Sequence, residues 1–113
     1  MTAWVKKFNE EELKKIDWLP HGTWKRYVSL DPAGRGMIAG LGSLAPGETV
    51  SHSHDEEELF FVLKGHGEAS WVENGQEYTA KLEPGCAFYK TPNIAHVMHN
   101  TGSENLVGIA FKV

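Results

Sequence analysis

From residue 24 onward, short runs rich in β-branched and aromatic residues are separated by clusters of Gly, Pro and Asn. Runs of that kind suit a pleated, half-buried surface, and the clusters between them suit turns. The pattern predicts nine strands: WKRYVSL (24–30), GMIAGLGSL (36–44), ETVSHSH (48–54), ELFFVLK (58–64), EASWVE (68–73), QEYTAKL (76–82), CAFYK (86–90), HVMHN (96–100) and NLVGIAFKV (105–113). Asn74-Gly75 is a strong signal for a two-residue hairpin turn. Gly40 and Gly42 interrupt the second run and are expected to mark a bulge or a close backbone approach. Short strands at this regular spacing predict an all-β sandwich or barrel.

The leading segment, 1–23, reads differently. In FNEEELKK (8–15), Asn9 is a candidate N-cap with Glu12 three residues later, and Phe8 and Leu13 match a hydrophobic staple. One short helix is expected over 10–15, closed by Trp18, Leu19 and Pro20. No helix-forming run follows residue 20, which excludes a helix-turn-helix and a crossover helix for a parallel sheet. The reading is one domain over 1–113, a short helical lead-in followed by a barrel over 24–113.

Composition narrows the function classes. A chain of 113 residues with 41% hydrophobic residues can bury a core of single-domain size. A formal charge of −4, with its lysines and arginines scattered, gives no electrostatic reason to expect nucleic acid. The charged opening MTAWVKKFNEEELKK predicts neither a signal peptide nor a membrane segment. The single Cys86 cannot form an internal disulfide, so the expected setting is the cytoplasm, with Cys86 a buried, inert thiol.

Candidate chemistry gathers in two places. HSHDEEE holds His52, His54 and Glu58, and TPNIAHVMHN holds His96. Alternate residues of a strand share a face, so His52 and His54 project together, and Glu58 keeps the same parity if the strand continues or resumes in register. Neutral imidazole and carboxylate suit a divalent transition ion: Zn, Fe, Mn, Ni or Co. Three imidazoles and one carboxylate leave such an ion a net charge of about +1, with two of roughly six positions open for water, O₂ or substrate. Asp55, Glu56 and Glu57 read as a solvated rim, Glu57 being the residue most easily mistaken for the ligand. The same alternation sends Phe60 and Val62 inward from Glu58, and Phe61 and Leu63 outward. From His96 it places Met98 and Asn100 on the ligand face and His99 on the other. Phe60 and Met98 are candidate pocket walls, with ordinary core packing as the alternative. Both faces of strand 58–64 are apolar, so its outer face is expected to be covered. Trp4 and Trp18 are candidates to fold back over the barrel.

The spacing from Gly47 through His52, His54 and Glu58 to Gly65, and from Gly85 through Thr91, Asn93 and His96 to Asn100, resembles the two motifs of the cupin superfamily. Thr91 stands where that family usually has proline, and Asn93 where it usually has glycine. Asn tolerates the left-handed turn conformation better than most residues, and neither departure touches a ligand position. The resemblance implies a cupin-type double-stranded β-helix, a jelly-roll barrel. It also implies a metal held by His52, His54, Glu58 and His96, and a homodimer. The expected activity is metal-dependent chemistry on a small oxygen-rich metabolite, with a dioxygenase placed first. A redox-neutral isomerase, lyase or decarboxylase, or a non-catalytic sugar- or small-ligand-binding cupin, are the alternatives. No acid or base can be named.

Overall fold

The structure is a computed structural model that describes Val5, residues 26–30, 34, 36–53 and 55–113, with side chains at 26–30 and 52 outside the description. The short helix expected over 10–15, and Trp4, Trp18 and His54, lie outside the described residues. Those residues contain strands and no helix, in the order β1 (Arg26–Leu30), β2 (Ile38–Leu44), β3 (Thr49–His52), β4 (Glu58–Lys64), β5 (Gly67–Glu73), β6 (Gln76–Leu82), β7 (Ala87–Lys90), β8 (His96–Asn100) and β9 (Leu106–Lys112). Each of the nine expected runs contains a strand, and within the described residues the ends agree to a residue or two. None of the described residues forms a helix long and apolar enough to cross a membrane.

The strands form two antiparallel sheets, β1-β2-β9-β4-β7 and β3-β8-β5-β6, the double-layered arrangement of a jelly roll. Local chemistry explains the turns. Asn74 and Gly75 both have positive φ (50° and 76°), as a type I′ hairpin requires. Pro92-Asn93 is the pair a type II turn asks for, and Asn93 sits at φ 66°. Gly65, where the chain leaves β4 for the other sheet, has φ 88°, and a Cβ there would lie 2.5 Å from the Asn105 carbonyl oxygen. Only glycine fits that crossing without strain.

The bulge expected at Gly40 and Gly42 is not found in β2. β2 pairs with β9 in unbroken register through Gly40 and Gly42, and the irregularity lies in β4, between Val62 and Lys64. Strand-weakening glycines need not sit where the extra residue is accommodated. Gly108 shows what a glycine does in this sheet: the Phe60 ring occupies the space a side chain there would need.

The core lies between the sheets. Phe60, Val62, Leu106 and Ala110 from one sheet meet Val50, Ala69 and Met98 from the other. Burying each larger side chain is worth about 1.5–3 kcal/mol. Alternation holds closely along β4 and β8: Glu58, Phe60 and Val62 are buried, and so are His96, Met98 and Asn100. On the outer face of β4, Phe61 and Leu63 are exposed, at 38% and 46%.

Candidate functional site

Pairing register builds the site as two facing rows. In the four-stranded sheet, His52 on β3 is the partner of His96 on β8, and His96 is the partner of Trp71 on β5. In the five-stranded sheet, Glu58 on β4 is flanked by Lys90 on β7 and by Lys112 on β9. The next row inward is Phe88, Phe60 and Ala110. These polar groups therefore sit together at one end of each sheet, next to the apolar core.

His96 is 2% exposed. Its Nδ1 lies 2.9 Å from the carbonyl oxygen of Ile94, just past the Pro92-Asn93 turn. A carbonyl can only accept, so Nδ1 carries the proton and, in the neutral ring, Nε2 carries the lone pair. A second-atom anchor of this kind is what orients a metal-ligating histidine. The Phe88 ring meets the His96 ring edge-on, centroids 5.9 Å apart.

Glu58 is 1% exposed, and it is the glutamate that turns inward. Glu57 instead accepts a hydrogen bond from the Tyr89 hydroxyl, and the phenol is exposed. That bond, with a smaller contribution from desolvation, raises the Tyr89 pKa above its ordinary 10.0. Glu58 Oε1 accepts from the ammonium of Lys90, itself 2% exposed, and Lys112 Nζ stands 3.5 Å from Oε2. Lys90 Nζ also lies 4.5 Å from the centroid of Phe88 and 5.9 Å from that of Phe60. Burial holds the Lys90 pKa below its usual range, and the Glu58 carboxylate offsets only part of that loss.

The structure thus brings together His52 and His96 by register and turns Glu58 into the same interior. His54 lies outside the described residues. No group of three metal-ligating side chains clusters among the described residues, where Glu58 and His96 are the two members described with side chains. Those two fit a divalent ion: one is a buried carboxylate, the other a buried imidazole with its tautomer set by Ile94. Phe60 and Met98 are fully buried in the core. His99 faces the opposite side from His96, as expected, and is half-buried; His66 is exposed. Asn100 ties the strand end: its Nδ2 donates to the carbonyls of Leu44 (2.9 Å) and Glu104 (2.8 Å), and its Oδ1 accepts from Gly102 N–H (2.9 Å).

Lys90 and Lys112 were missed from sequence. The alternation of Ala87, Phe88, Tyr89 and Lys90 does put Lys90 on the Phe88 face, but its meeting with Glu58 depends on a pairing between distant segments. Cys86 is half-buried rather than buried. It lines an open groove of about 300 Å³ with Trp71, Leu82 and Phe88, at the seam between the edge strands β6 and β7.

The comparisons with known proteins agree with this architecture. A family described as "Cupin domain" matches residues 40–111. No curated protein matches the sequence. Among solved structures, a cupin 2 conserved barrel domain protein from Salinispora arenicola is 20% identical, with 99% of this chain and 89% of that one covered and a TM-score of 0.71. A predicted oxalate decarboxylase from Thermotoga maritima is 22% identical, with 78% of each chain covered and a TM-score of 0.63. The Cnp3 cupin domain of Schizosaccharomyces pombe is 16% identical over 78% of this chain, with a TM-score of 0.67, and this chain spans 63% of its length. At these identities the likeness is one of fold.

Proposed function

The chain belongs to the cupin family, and from that premise we propose that it is a metal-dependent enzyme acting on a small, oxygen-rich, anionic metabolite. His52, His54, His96 and Glu58 would hold one divalent transition ion (Fe, Mn, Ni, Co or Zn). When bound, such an ion supplies Lewis acidity to a coordinated oxygen, or O₂ chemistry if it is iron. The observation that carries the reading is the in-register pair His52–His96, with the His96 ring fixed through Nδ1 by Ile94.

The protein's own groups support the choice of substrate. Two ammoniums, Lys90 and Lys112, stand against one carboxylate, Glu58. Ammoniums beside a low-dielectric interior attract an anion such as a carboxylate or an enediolate. The Phe88 and Trp71 rings, 5.5 Å apart, form an apolar wall beside His96.

Dioxygenase chemistry is placed first and redox-neutral isomerase, lyase or decarboxylase chemistry second. The test begins with elemental analysis of protein purified without an affinity tag, which should contain near-stoichiometric metal. Oxygen uptake after loading with Fe(II), measured with diketones, catechols and hydroxy acids, then separates the two chemistries. Turnover without oxygen uptake selects the redox-neutral class, and the absence of both metal and turnover rejects the enzyme reading. One observation favours a second function, that of a non-catalytic small-ligand-binding cupin: Glu58 already has lysine counter-ions, so an anion could be held without a metal. Saturable binding of a carboxylate by metal-free protein, with no turnover in the loaded form, is the result that selects it.

A further inference from the structure

Glu58 is held in a row of charges that the fold assembles from three strands. Lys90 and Lys112 are its register partners on the two sides, and both project to the interior with it. Lys90 is lodged there: nearly all its surface is buried, and its ammonium lies over the Phe88 ring. A buried carboxylate needs a cation, and a buried lysine needs an anion. Each supplies the other's need in the chain itself.

We propose that Lys90 sets the metal affinity of this site: its ammonium is the resident counter-ion of Glu58, and a divalent ion binds in competition with it. Lys112, 3.5 Å from the second carboxylate oxygen and less deeply buried, opposes the same ion more weakly. The inference rests on the metal reading given above. Its physical basis is charge. A metal ligated by Glu58 and an ammonium hydrogen-bonded to the same carboxylate lie close together, and their repulsion is poorly screened in a buried site. Binding therefore has to displace the ammonium from Glu58 or accept that repulsion, and either course lowers affinity. The imidazoles carry no such penalty. The five-stranded sheet thus tunes affinity while the four-stranded sheet supplies neutral donors.

The experiment measures Zn(II) affinity of metal-free wild type, Lys90→Met and Lys112→Met by competition with a chromophoric chelator. Thermal unfolding of each is followed with and without zinc. The expected result is affinity raised about tenfold or more in Lys90→Met and a few-fold in Lys112→Met. Metal-free Lys90→Met should also melt below wild type and regain more stability on adding zinc. Affinity equal to or weaker than wild type in both variants would overturn the proposal and make the lysines supports of the site. Should Lys90→Met not fold, Lys112→Met decides alone. Failure of wild type and both variants to bind zinc at all would instead overturn the metal reading, and the proposal with it.

Discussion

The two sheets bring opposite chemistry to one interior. The five-stranded sheet contributes full charges that are already matched, Glu58 between Lys90 and Lys112. The four-stranded sheet contributes imidazoles, with His96 oriented by a backbone carbonyl and His52 placed beside it by register. A charge carried into a core must come with its counter-charge, because desolvation of either alone costs several kcal/mol. A neutral imidazole carries no net charge, so burying it costs far less than burying an ion. So the charged half of the site is coupled to the stability of the fold, and the imidazole half is free to be specialised for ligation. A site assembled in this way can lose metal binding without losing its fold when an imidazole is removed, whereas removing a charge also costs the fold stability.

The largest effect is expected on the charged side. Lys90→Ala should destabilise the protein by about 3–5 kcal/mol in denaturant unfolding, because it strips a buried carboxylate of its hydrogen-bonded cation. Replacing both partners, as Glu58→Gln with Lys90→Met, should cost much less than the single change. A cost under about 1 kcal/mol for Lys90→Ala would mean that the pair is solvated, and the contrast between the sheets would collapse.

Next comes the join between the sheets. Gly65→Ala should cost about 2–3 kcal/mol, since the residue combines a left-handed φ with a Cβ position against Asn105 and Leu106. Gly75→Ala, with the same handedness but open space around it, should cost about 1 kcal/mol. Equal costs in urea unfolding would show that the crossing from β4 to β5 is not tightly packed.

Within the four-stranded sheet the two faces should separate cleanly. His52→Ala should lower metal content at least tenfold, as loss of one donor weakens the site. His99→Ala, on the opposite face, should leave metal content unchanged and stability within about 0.5 kcal/mol. Loss of metal in the His99 variant would reverse the parity assignment.

The smallest effect is at the rim. Tyr89 has its pKa raised through the hydrogen bond to Glu57. A group whose folded pKa is raised stabilises the fold below its unfolded value and loses that contribution as pH rises through the folded value. The Tyr89–Glu57 bond should therefore be intact at neutral pH and lost only above pH 10.0, the ordinary phenol value. Glu57→Gln should bring the phenolate absorbance step of Tyr89 down toward that value, with Tyr89→Phe identifying the step.

Much of this was readable in the amino-acid sequence because it is local. Two-residue alternation separated Phe60 and Val62 from Phe61 and Leu63, and His96 and Met98 from His99. Turn chemistry picked out Asn74-Gly75 and the left-handed Asn93. The charged row was not readable for the opposite reason. Lys90 lies 32 residues from Glu58, and it and Lys112 meet Glu58 only because β7 and β9 both pair with β4. A lysine closing a short strand looks like any solvent-facing end until the sheet order is known. The irregularity in β4 was missed because Gly40 and Gly42 advertise weakness in β2, whereas the register shift falls after Val62.

Diffraction from crystals of the protein loaded with a divalent transition ion, recorded on both sides of the metal absorption edge, tests the convergence of these groups most directly. The predicted result is one anomalous peak inside the barrel, with the imidazoles of His52, His54 and His96 and the carboxylate of Glu58 around it. A peak outside the barrel, or His52 and His96 rings turned to opposite faces of their sheet, would contradict it.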